Sequence, residues 1–369
     1  MYEMNYLQKL KYHFTTDSGW QNDPNGLVYF KEYYHIFYQH APNFETPQHP
    51  MHWGHARTKD FINFEELPIA LYPDMPYDKD GCWSGTAIVK DDVLYLFYAS
   101  VIDTEEGKHK GQTVSVAFSE DGICFKKYEN NPVIDCYPSD GGPDFRDPAV
   151  CFIDGKYYCV MATGNFEHKS ARLLLYESEN IFDWQYKGIM CEWKNQMFAE
   201  CPSFMPAGDK YLLTASVMDF DYNHFFSIMY GRFKNGEFII ENSAEIDKGP
   251  DQYAGQAFLD HKGRNILISW SPGWSYVGYA EKDVGCMSVP RELKCVNGRV
   301  YGYPIEEVQH LLKEEDPALK RTESGFIIER TNRDPVVYNG EIHDLKMIRD
   351  GYILEVFING GAETYTVLL

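Results

Sequence analysis

Residues 27–40 read LVYFKEYYHIFYQH: an alternating apolar segment, a short polar turn, and a second alternating segment. Alternation with period two is the mark of a strand with one buried face, and two such runs about a tight turn make a hairpin. The unit returns as AIVKDDVLYLFYAS (87–100), AVCFIDGKYYCVMAT (149–163), SFMPAGDKYLLTAS (203–216) and AFLDHKGRNILISW (257–270). The spacing is about 55–60 residues, within reach of propeller blades with long loops. A looser pair of strands follows the hairpins, as in QTVSVAFSEDGICFKKY (112–128) and RLLLYESENIFDWQYKGIM (172–190). Four strands in each of five units predict an all-β chain folded as a five-bladed β-propeller. A β-sandwich does not predict the same hairpin five times.

The pattern changes past Tyr303. YPIEEVQHLLKEED (303–316) carries apolar residues at helical spacing, with Pro304 near its start and acids in its first turn, which predicts a linker helix. GFIIER, PVVY, HDLKMIR, YILEVFI and TYTVLL then read as short strands. The expected division is a propeller over 1–303 and, over 304–369, the linker helix and a short C-terminal β module that packs on the propeller and is marginal alone.

Composition fits this reading. The chain has 369 residues, with 28 Tyr, 23 Phe and 7 Trp, and aromatic residues suit half-buried pleated surfaces. A formal net charge of −21 argues against nucleic acid, which needs a basic face, and against anionic membrane surfaces. Nine cysteines with no CxxC pair and no regular spacing fit neither a disulfide framework nor a zinc site, and read as reduced thiols. MYEMNYLQKLKYHF has no apolar stretch of signal-peptide length, and no later segment approaches a transmembrane span. The expected compartment is therefore the cytoplasm.

Three acidic motifs stand at or just before the first strand of a unit: Trp20-Gln21-Asn22-Asp23-Pro24-Asn25-Gly26, Phe145-Arg146-Asp147-Pro148, and Glu200-Cys201-Pro202. In a propeller the first strand of each blade lines the central channel, so carboxyl groups from the first, third and fourth units would meet in one funnel. Glycoside hydrolysis needs a pair of carboxyl groups, held about 5–5.5 Å apart in a retaining enzyme, with pKa values pushed apart by their surroundings. Asp23 lies in an Asn-rich turn whose hydrogen bonds would favour the carboxylate. Glu200 is flanked by Phe198, Ala199 and Cys201, an apolar stretch that would favour its protonated form. Taken singly, Asp-Pro-Asn-Gly and Arg-Asp-Pro read equally well as turns. Their common register within the repeat points to function.

These motifs, in this order and spacing, resemble the sucrase, invertase and fructanase enzymes of glycoside hydrolase family 32. The resemblance extends through Phe37-Tyr38-Gln39, Met51-His52-Trp53-Gly54-His55-Ala56, Trp83-Ser84-Gly85, DKGPDQYAGQAF (247–258), Leu267-Ile268-Ser269-Trp270 and Ser288-Val289-Pro290-Arg291-Glu292-Leu293. The final strands are similar to the close of that family's C-terminal β-sandwich. The resemblance implies a retaining glycoside hydrolase that releases fructose from a small β-fructofuranoside. It makes Asp23 the nucleophile and Glu200 the acid and base, while Asp147 and Arg146 hold fructose hydroxyls. Asn22, Gln39, Trp83 and Ser84 would line the fructose subsite, with Trp53, Tyr253 and Trp270 nearby. No metal or organic cofactor is implied. The expected partner is the fructoside, with homo-oligomer formation left open. The same acids would serve a fructosyltransferase, whereas a non-catalytic fructoside-binding protein has no chemical need for both nucleophile and acid.

Three departures from the family pattern bear on specificity. Gln48 stands where the family usually has a tryptophan, Ser203 where it usually has an aspartate after Glu-Cys-Pro, and the C-terminal module is about half the usual length. Both substitutions are expected at the pocket mouth. His49, His52 and His55 fall in a loop and strand rather than on one helix face, which argues against a metal site. KHKGQ (108–112) reads as a solvated loop that could also meet a substrate phosphate.

Overall fold

The computed structural model describes residues 10–42, 50–103, 109–271, 285–331 and 333–369. The first sheet runs β1 (Trp20–Phe30), β2 (Tyr33–Ala41), β3 (His52–Thr58), β4 (Phe64–Leu71). The second is β5 (Gly81–Lys90), β6 (Val93–Asp103), β7 (His109–Ser119), β8 (Lys126–Lys127). The third is β9 (Asp144–Ile153), β10 (Lys156–Asn165), β11 (Ser170–Ser178), β12 (Gln185–Lys194). The fourth is β13 (Gln196–Ala207), β14 (Lys210–Asp219), β15 (His224–Lys234), β16 (Glu237–Ala244). The fifth has β17 (Tyr253–Leu259), β18 (Asn265–Ser271), the short β19 (Cys286–Met287), β20 (Arg291–Val296) and β21 (Arg299–Pro304), with β19 and β20 both pairing with β18. All pairings in these sheets are antiparallel.

The five hairpins read from the sequence open these five sheets, and local turn chemistry fixes them. Lys31-Glu32, Asp91-Asp92 and Asp154-Gly155 all have positive φ, the mirror-image turn whose twist matches the strands it joins. A second device recurs between the third and fourth strands of sheets one to three. Thr58, Ser119 and Ser178 accept at Oγ from the amide three residues on, while Asp60, Asp121 and Asn180 accept from the two amides that follow.

The first strands touch in a cycle: β1 meets β5, β5 meets β9, β9 meets β13, β13 meets β17, and β17 returns to β1. Nearly every residue of β1 is buried, whereas the outer β16 is mostly exposed. Hydrophobic clusters fill each seam between consecutive sheets: Trp53 and Phe37 with Tyr98, Phe97 with Phe145, Leu173 with Leu213, Met205 with Leu267, and Leu27 with Ile268.

Beyond β21 the expected linker helix is a single 3₁₀ segment, Glu306–Leu311, that buries Val308 and Leu311. Leu312 is already extended, and Lys313 exchanges backbone hydrogen bonds with Met347, so pairing ends the helix early. The tail strands form two three-stranded sheets, β22 (Leu319–Thr322), β23 (Gly325–Ile328), β24 (Val336–Asn339) and β25 (Leu345–Asp350), β26 (Ile353–Ile358), β27 (Glu363–Leu368). Phe326, Ile328 and Tyr338 share one core with Leu354, Val356 and Val367.

Buried ions weld this tail to the rest. Arg291 grips Glu355 through Nε at 3.1 Å and Nη2 at 2.6 Å, and donates to Thr364 and Thr366. His13 bonds Glu355 at 2.9 Å and Asp350 at 3.2 Å. Burial opposes the charge on His13, but bonds to these two carboxylates raise its pKa to about 9. Among the described residues all nine cysteines are free thiols, and no helix is long and apolar enough to cross a membrane. Glu355→Gln leaves Arg291 and His13 short of their shared counter-charge. It is expected to lower stability at pH 7 by about 3–5 kcal/mol, read from urea unfolding.

Candidate active site

Each inner strand is interrupted by a β-bulge near the same end. The register slips at Asn22-Asp23 in β1, Ser84 in β5, Asp147-Pro148 in β9, Cys201-Pro202 in β13 and Ala254-Gly255 in β17. Bulges re-aim side chains and leave room for prolines that a regular ladder rejects. Asp-Pro-Asn-Gly and Arg-Asp-Pro are therefore bulged strand, not the turns their composition also allowed. Asp147, Cys201 and Ala254 sit at φ of +60°, +49° and +51°, strain of order 1 kcal/mol or more each. Gly26, at +53°, could not carry a side chain: a Cβ there would lie 2.9 Å from both Phe37 and Trp53.

The bulges bring the three acids together, Asp23 and Asp147 buried and Glu200 half-buried. Asp23 accepts from Ser84 Oγ at 2.6 Å and from Asn22 Nδ2 at 3.0 Å. Asp147 accepts from the Cys201 amide at 2.8 Å. The Cys201 thiol bridges the two, 3.4 Å from Asp23 and 3.6 Å from Asp147. Glu200 Oε1 is held by Arg146 through Nε at 3.0 Å and Nη2 at 2.9 Å, and Oε2 accepts from Tyr253 Oη. Arg146 Nη1 reaches Asp144 at 2.8 Å, and its guanidinium lies over Phe198 at 5.0 Å and Trp83 at 5.9 Å.

The electrostatics differ from those the chain neighbours suggested. Asp23 has its expected hydrogen bonds, but burial and the nearby Glu200 outweigh them and raise its pKa above the usual carboxylate range. Asp147 rises to about 7: burial is the largest cause, Arg146 opposes it, and Glu200 and Asp23 add to it. The Glu200 carboxylate meets a guanidinium and a phenol rather than an apolar pocket. Burial and then Glu200 push the Tyr253 hydroxyl well above its ordinary range.

The other expected residues fall into two shells. Asn22 spans Trp20 Nε1, at 2.6 Å, and Asp23. Gln39 donates to the Cys82 carbonyl at 3.1 Å. With its amide oriented to satisfy both ends, Asn25 donates to Ser84 Oγ at 3.3 Å and accepts from Gln39 Nε2 at 2.9 Å. Trp53 and Trp270 are 0 % exposed. Trp53 packs in the seam between sheets one and two and donates to the Trp83 carbonyl, and Trp270 lies against Trp20. Both stand behind the cluster.

Ser203 is not at the mouth: it is buried, and its Oγ accepts from the Ala257 amide at 2.9 Å, joining β13 to β17. Gln48, His49 and Lys108 lie outside the described residues. His55 bonds His35 at 2.9 Å inside the first sheet, and His52 bonds the Pro50 carbonyl. Asp144, Cys201 and Asn25 were not singled out as site residues. Asn25 and Cys201 lie within the acidic motifs and Asp144 directly precedes one; the bulge at Cys201 aims its thiol at Asp23 and Asp147, whereas Asp144 keeps regular register and meets Arg146.

Residues 13–304 match the Glycosyl hydrolases family 32 N-terminal domain. A sucrose-6-phosphate hydrolase of Zymomonas mobilis is 33% identical over 326 residues, covering 82% of this chain and 63% of that protein. A raffinose invertase of Escherichia coli is 32% identical, covering 83% of this chain and 66% of its own length. A β-fructofuranosidase of Bombyx mori, solved as a point mutant in complex with sucrose, superposes with a TM-score of 0.85 at 26% identity, covering 99% of this chain and 89% of that one. The chain belongs to glycoside hydrolase family 32. It spans less than two thirds of the length of the Zymomonas relative.

Because Asp147 holds its proton more tightly folded than unfolded, its contribution to stability is lost as pH rises from about 4 through 7. Asp147→Asn removes that loss. The variant is expected to be more stable than the parent at pH 8, by on the order of 2 kcal/mol, with the gain shrinking toward pH 4 in thermal unfolding.

Proposed function

We propose that this chain is a retaining β-fructofuranosidase that releases fructose from a small β-fructoside such as sucrose, sucrose 6-phosphate or a short fructo-oligosaccharide. The observation that carries the reading is the meeting of Asp23, Asp147 and Glu200 with Arg146 and Tyr253 in one cluster of a family 32 chain. Sucrose-6-phosphate hydrolases and an invertase among the relatives support the substrate class.

In this mechanism Asp23 attacks the anomeric carbon of fructose while Glu200 gives its proton to the departing oxygen. Glu200 then takes a proton from water, which displaces Asp23 and restores both groups. Arg146 and Tyr253 hold the Glu200 carboxyl at its two oxygens. Ser84 and Asn22 orient Asp23 and favour its charged form. Asp147 faces the fructose hydroxyls and stabilises the positive charge that develops on the ring. Trp83 and Gln39 border the fructose subsite, backed by Trp53 and Trp270. An acceptor sugar in place of water would give fructosyl transfer by the same steps.

The architecture that serves this chemistry is a five-bladed propeller over residues 1–303. The cycle of inner-strand contacts supports it. Residues 304–369 act as a trimmed sandwich-like module, supported by the core its two sheets share. We place the enzyme in the cytoplasm, acting on imported substrate.

Fructose release from sucrose, sucrose 6-phosphate, kestose and inulin tests the reading. Release from at least one is expected, and Asp23→Asn and Glu200→Gln should each reduce kcat by about 10³-fold or more. Equal activity in folded Asp23→Asn would overturn the assignment.

A further inference from the structure

Arg146 is the cation that meets the acid cluster, and two residues outside the three acidic motifs hold it. Asp144 precedes it by two residues on β9, so their side chains leave the same face of the strand. Asp144 pairs with Gly164 and Arg146 with Ala162 in regular register. Asp144 Oδ1 accepts from Arg146 Nη1 at 2.8 Å, while Nε and Nη2 of the same guanidinium hold Glu200. One positive charge is thus shared between a half-buried carboxylate outside the proposed chemistry and the group proposed to protonate the leaving oxygen.

A further contact arrives from the second sheet. Gln112 of β7 is 2 % exposed. Its Oε1 accepts from the Phe145 amide at 3.0 Å and from Arg146 Nη1 at 3.5 Å. Two donors facing Oε1 fix the orientation of this amide. Nε2 is left buried with no hydrogen-bond partner among the described residues. A buried unpaired donor is destabilising, and an apolar side chain would avoid it. What the glutamine supplies in exchange is a neutral acceptor, which holds the Phe145 amide and the guanidinium and adds no charge.

Charge placed on Arg146 is felt at Glu200, because the guanidinium is buried and screening there is weak. Glu200 is bonded by Arg146 of β9 and Tyr253 of β17. Asp23 of β1, Asp147 of β9, Cys201 of β13 and His224 of β15 also interact with its charge. A guanidinium freed of Asp144 would favour the ionised form of Glu200, and the acid would then lose its proton at lower pH.

We infer that Asp144 and Gln112 are positioning residues of the proposed hydrolase: together they aim Arg146 at Glu200, and the charge of Asp144 tempers the guanidinium so that Glu200 can act as an acid. The inference rests on the proposed hydrolase activity and adds two residues that act through Arg146.

The test is the pH profile of kcat/KM for sucrose and for p-nitrophenyl β-fructofuranoside, whose leaving group departs with little help from an acid. Asp144→Asn keeps an acceptor for Arg146 and removes the charge. Its alkaline limb on sucrose should move down by about 0.5–1 pH unit, a loss of about 3–10-fold above that limb. The p-nitrophenyl substrate should lose less than about 2-fold at the same pH. Gln112→Glu keeps both contacts of Oε1 and adds a charge, so its limb on sucrose should move up instead. Thermal unfolding shows whether each variant is folded. Limbs that stay in place in both folded variants, or that move in the same direction, would overturn the inference alone. Equal losses on the two substrates in Asp144→Asn would do so as well. No cleavage of either fructoside by the parent would overturn the hydrolase reading and the inference together.

Discussion

The five inner strands touch one another in a cycle, and the ties between them are made largely by side chains because the backbone ladders run within sheets. Ser84 of the second sheet bonds Asp23 of the first, and Thr86 of the second bonds the Pro148 carbonyl and the Val150 amide of the third. The Cys201 amide of the fourth bonds Asp147 of the third, where Arg146 also grips Glu200. Tyr253 of the fifth reaches Glu200, and Gln256 joins the Leu27 amide of the first sheet to the Gly85 carbonyl of the second. The acids at the centre of the proposed chemistry are thus also fastenings of the fold.

This double duty has an energetic cost. Three carboxyl groups share a site with the one guanidinium of Arg146, itself divided between Glu200 and Asp144. Burial raises the pKa values of Asp23 and Asp147, so near neutrality the cluster resists carrying all its charges. Three inner strands also bear a non-glycine residue in the left-handed region at the bulge. Compensation lies in the apolar seams between sheets and in the buried Arg291–Glu355–His13 network, which uses opposite charges in near balance. A stable frame thereby supports a site that would not be stable by itself.

Much of this was legible because strand period and turn chemistry are local. The five hairpins, the looser outer strands and most tail strands follow from alternation and from turns such as Asp154-Gly155. The acidic motifs could be assigned to one site because their register within the repeat is also a local property. What lay across a seam was not legible. The chain neighbours of Glu200 are apolar, but its carboxylate meets Arg146 and Tyr253 from other sheets. Ser203 adjoins the Glu-Cys-Pro motif, but it is buried and accepts from the Ala257 amide of the neighbouring sheet. The helical spacing of 303–316 was real in Val308 and Leu311, and pairing of Lys313 with Met347 overrode it after six residues.

In the proposed mechanism Asp23 and Glu200 act from opposite sides of the fructosyl carbon through a covalent intermediate. Cleavage of sucrose in the presence of methanol tests it, because the captured methyl fructofuranoside does not mutarotate and its anomer can be read by NMR. Methyl β-fructofuranoside, with configuration retained, is expected. The α anomer as the initial enzymatic product would mean a single displacement by the acceptor, and would contradict the assignment of Asp23 as nucleophile.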